Sequence, residues 1–169
     1  TLADVVDEVG KDVVRFTMLT RKPEAQMDFD FAKVVEASKD NPVFYVQYAH
    51  ARIRSTMRKA AEENLAPSDE ALDALGPEDV ALVKLAAQYP RVVEAAAQAR
   101  EPHRIAFYLY DLAAAFHAFW NAGNEDPAKR VILTQDPKLS GARLYLVAQI
   151  GQVIRNGLGL LGVEAVEEM

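Results

Sequence analysis

Apolar residues recur at three- and four-residue spacings along almost the whole chain, and no stretch alternates convincingly at period two. Helical spacing gathers such residues onto one stripe, because successive side chains turn by about 100°. The core must therefore be built by helices packing on helices, and the fold class is all-α. Composition agrees: half of the 169 residues are hydrophobic, and only 8 Gly and 8 Pro interrupt a chain rich in Ala, Leu and Glu.

The spacing predicts the elements in order. Leu2, Val5, Val6 and Val9 form a short helix ended by Gly10. Asp12 can cap a second helix carrying Val13, Phe16 and Leu19, which Lys22-Pro23 breaks. Residues 27–30 are extended, and Asp30 can cap a helix through Val34 and Val35. Pro42 suits the first turn of a long helix reaching residue 64, with Val43, Val46, Ala49, Ile53, Met57 and Ala60 as its stripe. A loop over 66–76 leads to helices at 78–89 and 91–100, separated by Pro90. A helix opening at Pro102 runs to Asn121 and stops at Gly123. Residues 124–135 form an irregular connection with Val131, Ile132 and Leu133 tucked in. Asp136-Pro137 starts the last helix, which carries Leu144, Val147, Ile150, Ile154, Leu158 and Leu161 and ends at Gly162. The domain reading is a helical lead-in over 1–41 and a bundle over 42–169.

Several function classes fall away. The chain has no cysteine, hence no disulfide or thiolate metal site. His50, His103 and His117 lack paired metal-ligand spacing. There is no Gly-rich phosphate loop and no nucleophile elbow. Asp28 and Asp30 fit helix capping better than acid–base work. No apolar run approaches the roughly 20 residues of a membrane span. The acidic, amphipathic start TLADVVDEVG is not a signal peptide, so the expected compartment is the cytoplasm, and the lack of an initial Met points to a fragment. The net charge of −6 argues against a nucleic-acid partner unless cations gather locally.

They do gather on the helix at 42–64. Tyr45, Tyr48, Arg52 and Lys59 share one side, Arg54 and Arg58 form another row beside Gln47, and His50 borders the apolar stripe. Cations pair with phosphates and aromatic rings stack on unpaired bases, so this face suits RNA. A protein–protein module using Tyr45, Tyr48 and Arg52 as a hot spot is the alternative from another class.

The run PVFYVQYAHARI followed by Arg54 resembles the start of the anticodon-binding domain, of the helical type named DALR, in bacterial arginyl-tRNA synthetases. The resemblance covers essentially the whole chain. TLADVVDEVGKDVVRF is similar to the segment after the KMSKS-type loop of class I enzymes, and MDFDFAKVVEASKDNP to the connection into the bundle. EPHRIAFYLYDLAAAFHAFWN resembles a bundle helix. Arg143-Leu144, Asn156-Gly157-Leu158 and LLGVEAVEEM resemble the closing helix and terminal methionine. The chain departs from the family at Val166, where proline is frequent, and at Trp120, where tyrosine is common.

The resemblance implies the C-terminal part of an enzyme that joins arginine to its tRNA using ATP and Mg2+. The HIGH-type and KMSKS-type signatures are absent here, so this chain alone should hold no cofactor and should not activate arginine. The implied partner is arginine tRNA, gripped at its anticodon loop and inner arm by a monomer, with no membrane and no DNA involved. Every arginine anticodon carries a middle C, which must be unstacked to be read. The resemblance points to Tyr48 and Arg52 as a ring-and-guanidinium pair at the anticodon loop. Met169 would close the apolar side of that surface, and Arg54 and Arg58 would contact phosphates. Tyr45 and Lys59 share the Tyr48 side. His117 and Asn121 are candidates on the neighbouring helix beside Tyr110, with bundle packing as their competing role. The 1–41 segment resembles the part that props the inner arm.

Overall fold

The computed structural model describes residues 2–22 and 42–169, and among these all regular structure is helical. The expected extended piece at 27–30 and the helix through Val34 and Val35 lie outside the described residues. Two short helices lead in, α1 (Leu2–Val9) and α2 (Lys11–Leu19). Five helices follow: α3 (Pro42–Glu62), α4 (Pro77–Ala86), α5 (Tyr89–Ala99), α6 (His103–Glu125) and α7 (Pro137–Leu160). Single 3-10 turns at Leu72–Ala74 and Pro127–Lys129 punctuate the connections.

The centre is the three-way contact of α3, α6 and α7. Val43, Val46, Ala49 and Ile53 from α3 meet Leu109, Leu112 and Phe116 from α6 and Leu144, Val147, Ile150, Ile154 and Leu158 from α7. All are at most 1% exposed, and each large aliphatic or aromatic side chain so buried contributes about 1.5–3 kcal/mol. Two glycines let α7 approach this closely. A Cβ on Gly157 would come within 2.6 Å of Leu109 Cδ2, and one on Gly151 within 3.0 Å of Ile53 Cγ2. Met57, expected on the buried stripe, is only half-buried at its edge, and so is Trp120.

A buried ion pair fixes the irregular connection. Arg143 Nε donates to Asp79 Oδ1 (3.1 Å), and its Nη1 donates to the carbonyls of Ala128 (2.9 Å) and Arg130 (2.8 Å). Asp79 Oδ2 accepts from Gly76 N–H at the start of α4. A charge pair buried this deeply is tolerated because Arg143 Nη1 and the second Asp79 oxygen are also hydrogen-bonded. The pair thus joins α4 and the 127–130 turn to α7, while Val131 and Leu133 are buried as the sequence predicts. Helix α6 continues to Glu125 rather than stopping at Gly123. That glycine instead gives room for the Arg130 backbone, whose Cα would lie 3.2 Å from an added Cβ, and its carbonyl accepts from Arg130 Nε.

The lead-in is part of the packed body. Val13 and Phe16 of α2 are buried in the main core, against α3 and α6. Asp12 is not the cap of α2: Gly10 occupies that position with φ 85°, and no side chain caps the helix. Asp12 Oδ2 instead accepts from the backbone N–H of Glu164 (3.1 Å). Gly162 turns the chain out of α7 with φ 68°, a left-handed conformation that suits glycine. The last seven residues then return along α3.

Candidate nucleic-acid interface

On one side of α3, aromatic rings and a cation meet α6. The Arg52 guanidinium lies 4.4 Å from the Tyr48 ring centroid and 5.5 Å from that of Trp120. Its Nη2 donates to the Tyr48 hydroxyl (2.6 Å), one turn earlier on the same helix. Its Nη1 lies 3.1 Å from His117 Nδ1. Tyr45 packs against Tyr110 (5.0 Å between centroids) and His117 (4.6 Å), and Tyr48 stacks on His117 (5.5 Å). Burial raises the Tyr45 hydroxyl pKa, helped by Tyr110 and opposed by Arg52. These partners of Arg52 are uncharged, so its positive charge stays available at a surface where Tyr48 is 41% exposed.

The expected site residues do not all share this cluster. Tyr48, Arg52, Tyr45 and His117 come together. His117, however, is buried at 5% exposure and cannot offer its ring to a ligand. Arg52 is half-buried rather than freely solvated, because α6 packs beside it. Asn121 and Lys59 are exposed.

Arg54 and Arg58 lie on another face and are occupied by the chain's own tail. Arg54 Nε donates to Glu167, whose other carboxylate oxygen accepts from Arg155 (2.7 Å), and Arg58 pairs with Glu168 (3.4 Å). Gln47 Nε2 donates to the Glu164 carbonyl (2.9 Å). The Val166 carbonyl can only accept, so His50 Nδ1 carries the proton and donates to it (2.8 Å). His50 is buried rather than bordering the stripe, and burial lowers its pKa, with Arg155 and Arg54 adding to that and Val166 and Glu167 opposing it. The Arg54 bond holds the Glu167 carboxyl below the usual range. Met169, at the end of this strap, is 64% exposed.

Two features escape the sequence reading. Trp120 packs on the edge of the core beside Phe116 and also reaches the Arg52 cluster, and borders a small cavity of about 170 Å3 with Phe119, Asn124, Arg130 and Ile132. Its position between Phe116 and His117 around the helix, one turn further on, is the available signal. Arg155 joins the tail site from α7, and no local pattern announces it. Among the described residues no three His, Asp or Glu come together to hold a metal ion. No described helix is long and apolar enough to cross a membrane.

With this geometry in place, likeness to known proteins adds a family. The profile described as "DALR anticodon binding domain" matches residues 46–169. An arginine–tRNA ligase from Novosphingobium aromaticivorans is 73% identical over 169 residues, covering all of this chain and 29% of that protein. One from Chelativorans is 54% identical over 176 residues, again covering all of this chain and 30% of that protein. The solved arginyl-tRNA synthetase of Thermus thermophilus superposes with a TM-score of 0.82 at 36% identity, over 96% of this chain and 27% of that one. The chain therefore spans less than a third of the length of these relatives.

Proposed function

Because the chain belongs to the DALR anticodon-binding domain family, we propose that it is the tRNA-reading part of an arginine–tRNA ligase. The parent protein would attach arginine to its tRNA using ATP and Mg2+. This chain would supply recognition of the anticodon loop, as a single copy per tRNA, with the lead-in helices propping the inner arm. The supporting observation is the Tyr48–Arg52–Trp120 cluster: two partly exposed rings flanking a cation whose partners are neutral.

The chemistry follows from those groups. A nucleobase leaving the loop stack loses stacking on its neighbours, and an aromatic face returns about 1–3 kcal/mol per base. A guanidinium held in one orientation then donates to the exposed base edge or to a phosphate. Preorganisation matters because a free arginine side chain would lose rotamer entropy on binding. Arg54, Arg58 and Lys59 would add phosphate contacts, the two arginines only after exchanging their tail carboxylates.

The test is binding of the chain to arginine tRNA and to a variant with the middle anticodon base changed, at about 50 and 200 mM salt. The expected result is steep weakening with salt and a preference of about 1–3 kcal/mol for the natural base. Equal binding of both RNAs with a flat salt response would remove the reading and leave a protein-docking face. The chain alone should show no arginine-dependent ATP–pyrophosphate exchange.

A further inference from the structure

We propose that His117 is a positioning residue, a buried acceptor locked in one tautomer that aims the Arg52 guanidinium at the RNA. This rests on the reading of Arg52 given above, and adds how its orientation is set.

The tautomer follows from the partners. Arg52 Nη1, 3.1 Å from His117 Nδ1, can only donate, so Nδ1 must present its lone pair. The Tyr45 carbonyl, 3.2 Å from Nε2, can only accept, so the ring proton sits on Nε2. Each neighbour admits one arrangement, and the two arrangements agree. The ring is held laterally by Tyr45 (4.6 Å) and Tyr48 (5.5 Å), and Phe116 adjoins it on α6. Arg52 is therefore fixed at two points, the Tyr48 hydroxyl and the His117 lone pair, and both of its terminal nitrogens are oriented. At 5% exposure His117 touches no ligand, so its action must pass through Arg52.

Protonation would undo the device. An imidazolium would turn an N–H toward the guanidinium and set two positive charges together. The groups facing the ring are Arg52, Tyr45 and Tyr48 from α3, with Tyr110 beside Tyr45 on α6. Burial first, and Arg52 second, keep the ring pKa below its usual 6.5, against the Tyr45 carbonyl. The neutral acceptor thus persists through neutral pH and is lost as pH falls through that lowered value.

Two substitutions separate positioning from packing. Asn places its side-chain oxygen where Nδ1 stands and keeps an acceptor for Arg52. Gln places its amide nitrogen near Nε2 and keeps only the donor to Tyr45. The probe is a synthetic anticodon stem–loop of arginine tRNA. His117→Gln should weaken binding about tenfold, the scale of one charged hydrogen bond, and His117→Asn should restore most of it. In an Arg52→Ala background, His117→Gln should add less than about a factor of two. Nitrogen-15 NMR of the wild-type ring should show the proton on Nε2. Arg52→Ala binding like wild type would overturn the reading of the interface itself. Loss with Arg52→Ala, but a His117→Gln effect that is additive or not rescued by Asn, would overturn the positioning role alone. So would an Nδ1–H tautomer, which needs no RNA and no variant to observe.

Discussion

Helix α3 carries arginines on two faces, and the molecule treats them in opposite ways. On the α6 side, Arg52 is held by a phenol oxygen, a neutral imidazole and two ring faces, so its charge is oriented but not cancelled. On the tail side, Arg54 and Arg58 are met by Glu167 and Glu168, with Arg155 sharing Glu167, so much of their charge is compensated. Both faces include a buried histidine making one backbone contact, to Tyr45 or to Val166. Two cations on one helix can thus differ in readiness for an anion because of who holds them. A guanidinium with neutral partners meets a phosphate or base edge at once. One in an ion pair must first exchange a carboxylate. This also reconciles a net charge of −6 with the proposed RNA binding: part of the acidity lies in a tail that covers cations.

The largest contrast should come from removing one arginine on each face. Arg52→Ala should cost roughly 1.5–3 kcal/mol of anticodon stem–loop binding, the scale of a charged hydrogen bond at an ordered site. Arg54→Ala should cost no more than the roughly 0–1 kcal/mol typical of an exposed pair. Titration of both variants at one salt concentration checks this. If Arg54→Ala proves the more damaging, the tail-bound row is the RNA face and the assignment of the two faces is reversed.

Tyr48→Ala is expected to come next, near the low end of the roughly 1–3 kcal/mol that stacking of one base contributes. The thermal midpoint should barely move, because the ring is 41% exposed and lies outside the buried core. A clear drop in the midpoint with unchanged RNA binding would make Tyr48 a packing residue.

The helical pattern on α3 was enough to set Tyr48 and Arg52 apart from Arg54 and Arg58, since a wheel records angular position. It could not tell what each face meets. The partners of Arg54 and Arg58 are 113 and 110 positions away in a non-helical tail, where periodicity carries no information. The same blindness made Asp12 look like a cap, when its carboxylate serves Glu164 across 152 positions. Trp120 falls on the apolar stripe of α6 by angle, and its ring both packs beside Phe116 and reaches Arg52, a contact between helices that a wheel does not record. Helix existence was legible because each helix encodes its own period. The ends were less so: Gly123 looks like a stop, but its missing side chain is used for packing against Arg130.

A smaller effect should follow from neutralising the tail. Glu167→Gln with Glu168→Gln removes the carboxylates from Arg54 and Arg58 and should tighten stem–loop binding a few-fold. If both arginines then reach phosphates, the slope of log K against log salt should steepen by about 0.7 per added contact on a single strand. The midpoint should fall little, since such exposed pairs contribute about 0–1 kcal/mol. Weaker binding in this variant would mean that the docked tail assists the RNA instead of screening it.

The smallest expected effect separates the two faces without RNA. Both His50 and His117 are held below the ordinary histidine pKa by burial. A pKa lowered on folding stabilises the fold fully above the unfolded value near 6.5 and loses that contribution as pH falls through the folded value. The charged neighbours differ. Glu167 favours the charged form of His50, whereas the electrostatic neighbour acting on His117 is Arg52. Glu167→Gln alone should therefore lower the His50 titration, because only the Val166 carbonyl then opposes burial, Arg155 and Arg54, and should leave His117 where it was. Proton NMR of the two rings between pH 4 and 8 reads both at once. Should His50 instead rise toward the ordinary value, the ring has become solvated. The Glu167 ion pairs, and not the backbone contacts at Gln47 and His50, would then be what keeps the tail on α3. Should His117 move as well, the two faces are coupled through the helix and cannot be treated as independent sites.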